Sequence, residues 1–173
     1  MVERLLNRAF SNTADIDGEA WVAASAGTGR YQAQVDRNTI AAASELGIDV
    51  TTHQPRLLDR EVLETDGADL VLTLDRAHLR DVVALDIRAW PRTFTLKELA
   101  RRAALQDPPT QLEGFVGWRD RMADGRTAAS MMQPDPDDDV ADPHGLPRPH
   151  HVKMVAEVNE AVQRLLRSGV WVT

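Results

Sequence analysis

The chain has 173 residues, a formal charge of −7 and no cysteine. That length suits one domain with a sizeable core, and the acidic balance without any basic block excludes a phosphate-backbone (nucleic-acid) binder. The missing thiols exclude disulfides, thiolate metal sites and a cysteine nucleophile among these residues. No apolar run approaches the length of a membrane span, and Met1-Val2-Glu3-Arg4-Leu5-Leu6 is amphipathic rather than signal-like, so a cytoplasmic location is expected.

Residues 2–11 place Val2, Leu5, Leu6 and Phe10 on one helical face. A polar loop over 11–19 leads to a short strand, Trp21-Val22-Ala23-Ala24-Ser25, and a flexible loop, Ala26-Gly27-Thr28-Gly29-Arg30-Tyr31. A helix is predicted over 36–46 with Gly47 as its stop, then a short one over 57–65. The nearly continuous apolar run at 68–74 reads as a strand of a parallel sheet, and Asp75 caps a helix over 76–85. A strand over 92–96 runs into a helix over 97–105. Alternating strands and helices predict an α/β parallel sheet in a single domain. Residues 106–139 loosen this pattern and read as an insertion beside the sheet, with one amphipathic helix near 115–122 and an acidic turn over 134–139. A strong final helix is predicted over 150–168.

Chemistry concentrates in Val140-Ala141-Asp142-Pro143-His144-Gly145. Proline fixes its own φ and drives the preceding residue towards extended geometry, so Asp142 is held on a rigid elbow. A carboxyl aimed in this way suits proton donation to a leaving group; the structural alternative is that it caps the helix that follows.

Other candidate sites have plainer readings beside them. Asp15-Ile16-Asp17-Gly18 has the look of an aspartyl nucleophile motif, but the polar residues before it favour an ordinary turn. Gly27-Thr28-Gly29-Arg30 has the makings of an anion loop, though no helix opens directly after it. Asp135, Asp137, Asp138 and Asp139 offer carboxylates to a cation but read more simply as a solvated turn. His144, His150 and His151 can be drawn as zinc ligands, against a surface placement for the pair at the helix start. No metal site is expected.

Four separated segments carry a resemblance: residues 21–28, residues 47–56 (Gly-Ile-Asp-Val-Thr-Thr-His-Gln-Pro-Arg), residues 72–81 (Leu-Thr-Leu-Asp-Arg-Ala-His-Leu-Arg-Asp) and residues 140–143 (Val-Ala-Asp-Pro). In this order, with helices between them, the chain resembles the low-molecular-weight protein tyrosine phosphatase family over most of its length, apart from 106–139. The resemblance implies a flavodoxin-like sheet of four parallel strands and metal-free, cofactor-free hydrolysis of a phosphomonoester through a cysteinyl-phosphate. It implies Asp142 as general acid, Tyr31 as an aromatic wall, and Ser25 and His53 as groups bracing the phosphate-binding loop. His144 stands where many members have an aromatic residue beside the substrate. The partner implied is a phosphotyrosine protein or a small aryl phosphate.

The departure is at the front. In the family, a first strand and a Cys/Arg phosphate loop precede a helix beginning much like Met1–Leu6, and this sequence holds neither strand nor loop. The lost strand would lie between residues 21–25 and 68–74, leaving a slot about 10 Å wide. Orphaned backbone groups there cost on the order of 1–3 kcal/mol each, so the expectation is an inactive, N-terminally truncated gene product. The alternative is a pseudophosphatase acting as a binding module.

Overall fold

The computed structural model describes residues 1–11, 13, 20–29, 34–65 and 67–171, without the side chains of 64 and 65. Its elements in chain order are α1 (Val2–Phe10), α2 (Arg37–Glu45), α3 (Arg60–Thr65), β1 (Val71–Thr73), α4 (Arg76–Leu85), β2 (Thr93–Thr95), α5 (Leu96–Ala103), α6 (Gly114–Ala123) and α7 (Arg148–Leu166), with 3-10 turns at Ile87–Arg92 and Ala129–Met131.

Local chemistry sets the helix starts. Asp36 caps α2 by accepting from the Asn38 N–H at 2.7 Å. Asp75 caps α4 through the His78 N–H at 2.7 Å, and Thr95 caps α5 through the Glu98 N–H at 3.2 Å. The final helix opens at Arg148, two residues earlier than predicted, because Pro149 is tolerated in a first turn that has no intrahelical partner for its nitrogen.

The fold is α/β, a small parallel sheet flanked by helices. β1 and β2 pair in parallel, with Val71 opposite Thr93, Leu72 opposite Phe94 and Thr73 opposite Thr95. Both are shorter than predicted, and the predicted strand at 21–25 joins no ladder among the described residues. Strand-like alternation survives there: Trp21, Ala23 and Ser25 are half-buried, while Val22 and Ala24 face outward. Among the described residues this segment has no neighbouring strand. The backbone of Ala23 instead meets the side-chain amide of Asn7, whose Nδ2 donates to the Ala23 carbonyl at 2.7 Å and whose Oδ1 accepts from the Ala23 N–H at 2.8 Å. One side chain thus supplies both bonds that a strand would have supplied. Just beyond, Gly27 pairs with Leu57 in a single parallel bridge.

The core lies between the sheet and the helices. α7 packs on α1, α2 and α5, burying Val158, Val162 and Leu165 against Leu5, Leu6, Leu99 and Phe94. Phe10, Trp21, Phe115 and Trp171 form one aromatic cluster, with Phe10 and Trp171 centred 5.0 Å apart.

Part of residues 106–139 is built into this core. Trp118 and Met122 of α6 are fully buried. Arg126 is anchored more firmly still: its Nε lies 2.9 Å from Glu98 Oε1, and both side chains are 1% exposed. The guanidinium sits over the Trp90 and Phe94 rings at 4.3 and 4.1 Å and donates to the carbonyls of Trp90 and Thr93. Burial pulls its pKa down from the usual arginine value, against the opposing pull of Glu98.

Candidate active site

β1 and β2 end side by side, and their carboxyl ends receive the 133–142 segment. The Val140 N–H donates to the Leu74 carbonyl at 2.8 Å, extending β1 by one bond and bringing Asp142 to the head of the sheet. In open parallel sheets this is the edge where ligands bind.

Asp142 is exposed, and its Oδ1 accepts from the His144 N–H at 2.9 Å. Gly145 completes the turn with φ +73°, a conformation that strains other residues. Asp142 does not cap α7, whose N-cap is Pro147 with no side-chain bond, so the capping alternative is withdrawn. A groove runs beside Asp142, lined by Asp75, Arg76, Arg80, Asp139 and Ala141.

The acidic run is not a solvated turn. Asp138 is 2% exposed, and its carboxylate accepts from Arg76 Nη2 at 2.9 Å, Arg101 Nε at 3.1 Å and Arg101 Nη2 at 2.9 Å. Asp139 accepts from the backbone N–H of Arg76 at 3.0 Å and that of Asp135 at 2.9 Å. Lys97 Nζ donates to the carbonyls of Pro136 at 2.7 Å and Asp139 at 3.0 Å. The Asp137 N–H, with Arg76, holds the Asp135 carboxyl below the usual carboxylate range. These carboxylates are bound to protein donors, and among the described residues no group of three or more His, Asp or Glu is arranged to hold a metal ion.

His144 is exposed in the Asp142 turn, and His150 is also exposed. His151 is the opposite of the surface residue expected. It is 1% exposed, with Nε2 donating to the Leu146 carbonyl at 3.1 Å and Nδ1 hydrogen-bonded to the Thr39 hydroxyl at 2.8 Å. It thereby ties the far end of the Asp142 turn to α2.

Ser25 and His53 lie around the start of α1. Ser25 Oγ donates to Glu3 Oε2, Arg56 Nε donates to the Ser25 carbonyl at 3.0 Å, and Arg4 Nη2 donates to Thr52 Oγ1 at 2.7 Å. His53 is half-buried next to Thr52, its N–H on the Val50 carbonyl at 3.3 Å. The start of α1 has no side-chain cap, and burial lowers the pKa of the Met1 amine there. Among the described residues no hydrogen bond or ion pair joins this group to Asp142. Tyr31, Arg30 and residues 15–18 lie outside the described residues.

Arg76, Arg101 and Lys97 were not singled out by sequence reasoning. The signal available was the acidic run itself, whose charges, once buried, demand cationic partners.

An α/β fold with a small parallel sheet flanked by helices is shared with solved tyrosine phosphatases. Wzb from Vibrio vulnificus, solved in complex with benzylphosphonate, matches with a TM-score of 0.62 and 18% identity, over 96% of this chain and 86% of that one. The Erwinia amylovora tyrosine phosphatase AmsI gives 0.61 and 18%, over 96% and 81%. The low molecular weight protein tyrosine phosphatase from T. tengcongensis gives 0.62 and 23%, over 96% and 87%. At these identities the likeness concerns the fold. No curated protein matches significantly in sequence. The family model for low molecular weight phosphotyrosine protein phosphatase matches residues 1–119, and the chain belongs to that family.

Among the described residues, no helix is long and apolar enough to cross a membrane.

Proposed function

We propose that these 173 residues carry the general-acid half of a phosphomonoester-hydrolysing site and are inactive without a Cys/Arg phosphate loop joined to the start of α1. The observation that carries this reading is the Asp142 turn: it stands at the carboxyl end of β1, free of any helix-capping duty, with its carboxylate aligned by the His144 N–H. In this reading Asp142 protonates the leaving oxygen, and Tyr31 and His144 flank an aryl group. Ser25 and His53 brace the loop at the start of α1, where unpaired helix N–H groups favour a phosphate dianion. The substrate is a phosphotyrosine protein or a small aryl phosphate.

A second reading is a cysteine-free binding module. It is favoured by the Asn7 amide, which pairs with the Ala23 backbone as a strand would and so closes part of the slot from within the chain.

Under either reading the 173-residue chain leaves p-nitrophenyl phosphate at background, since there is no thiolate to form the covalent intermediate. Robust turnover by the pure chain contradicts both. The DNA ahead of Met1 separates them. In-frame codons for Cys, Arg and Ser-Pro support the truncated phosphatase, and an in-frame stop supports the module.

A further inference from the structure

We propose that Asp138, through Arg76 and Arg101, is the positioning residue that sets the Asp142 turn at the head of the sheet; the functional consequence rests on the general-acid reading given above. Asp138 is buried, so its charge needs local compensation, and it receives this from two elements. Arg76 is the first residue of α4 and Arg101 lies in the last turn of α5. The Asp138 carbonyl accepts from the buried Thr95 hydroxyl at 2.7 Å, which places the same residue on the end of β2. One residue is thereby fixed to the ends of α4, α5 and β2. Two residues later the chain makes its bond to Leu74, and two further on stands Asp142.

The alternative is that this knot merely stabilises the domain. Two observations favour positioning. The knot is adjacent in sequence to the acid turn, with the Val140 bond to Leu74, just past the end of β1, between them. The far end of the turn is fixed separately by His151 on the Leu146 carbonyl, so residues 140–145 are strung between two anchors. A carboxyl held at both ends loses less freedom on reaching a productive geometry.

The test is amide hydrogen exchange on the 173-residue chain. The Val140 N–H reports the bond to Leu74, and the His144 N–H reports the Asp142 carboxylate. Phe94 in β2 and Val158 in α7 serve as internal references. Asp138→Asn keeps the shape and removes the charge, and is expected to speed exchange at Val140 and His144 by about tenfold or more while the references hold. Arg101 is 48% exposed on its side chain, so Arg101→Met leaves the fold intact and should give a smaller acceleration at the same two amides. Arg101→Lys, which keeps a cation beside Asp138, should restore most of the protection. Unchanged exchange at both amides in Asp138→Asn and Arg101→Met overturns the proposal. Equal acceleration at the references overturns it too, since that is what a purely structural knot gives. Because exchange needs no catalysis, this test can fail while Asp142 remains the acid, and it can succeed if Asp142 proves not to be one.

Discussion

Arg126→Met tests whether residues 106–139 are part of the core or a detachable addition. Methionine replaces the stem of Arg126 and removes the guanidinium, leaving the carbonyls of Trp90 and Thr93 without that donor. It also takes one of two cations from Glu98; Arg102 remains at 3.1 Å, itself 26% exposed. Breaking a buried pair by removing one partner costs about 3–5 kcal/mol, and the remaining arginine puts the expectation near 3 kcal/mol. Against a total stability of about 5–15 kcal/mol this is a large share. Urea unfolding followed by tryptophan fluorescence at neutral pH reads it directly. The double variant with Glu98→Gln should recover part of the loss, because it leaves no uncompensated buried carboxylate. A loss below about 1 kcal/mol for Arg126→Met, or strict additivity in the double variant, refutes the buried pair as the anchor.

Two further outcomes follow from contacts described above. Asn7→Leu removes both bonds to Ala23 and should cost about 1–3 kcal/mol in urea unfolding, with faster exchange at the Ala23 amide; an unchanged amide would show that Asn7 is no stand-in for a strand. Asp49, Asp86 and Glu113 are held below the usual carboxylate range, mainly by side-chain bonds from Thr51, Arg88 and Arg121, and Asp135 mainly by the Asp137 N–H. Folded values below the unfolded ones mean that this stabilisation is whole at neutral pH and is lost as pH falls through the folded values. The urea midpoint should therefore hold above about pH 5 and fall below about pH 4; a midpoint that rises on acidification contradicts this.

The helices were legible in the sequence because their signals are local: apolar residues at helical spacing, Asp75 as a cap, Gly47 as a stop. The Asp142 turn was legible for the same reason, since Asp-Pro and Gly act on their own backbone. Residues 21–25 join no ladder among the described residues, because alternation describes a segment's faces, whereas a ladder forms only beside another strand. The burial of Asp138 depends on Arg76 and Arg101, which are 62 and 37 residues away, and the acidic run signals a need for cations without showing which ones supply it. His151 likewise reads as half of an exposed pair until α2 brings Thr39 against it. Arg126 was not singled out, because nothing near it in sequence shows Glu98, Trp90 and Phe94 converging on it.

The role proposed for Asp142 is that of a proton donor acting with a separately supplied nucleophile. Its most direct test joins a strand and a phosphate loop carrying Cys and Arg ahead of Met1 and measures hydrolysis across a leaving-group series, with and without Asp142→Asn. The extended chain should hydrolyse aryl phosphates, and Asp142→Asn should slow phenyl phosphate by about 10²–10⁴-fold while slowing activated aryl esters far less. Equal slowing across the series, or no turnover by the extended chain, would contradict the account.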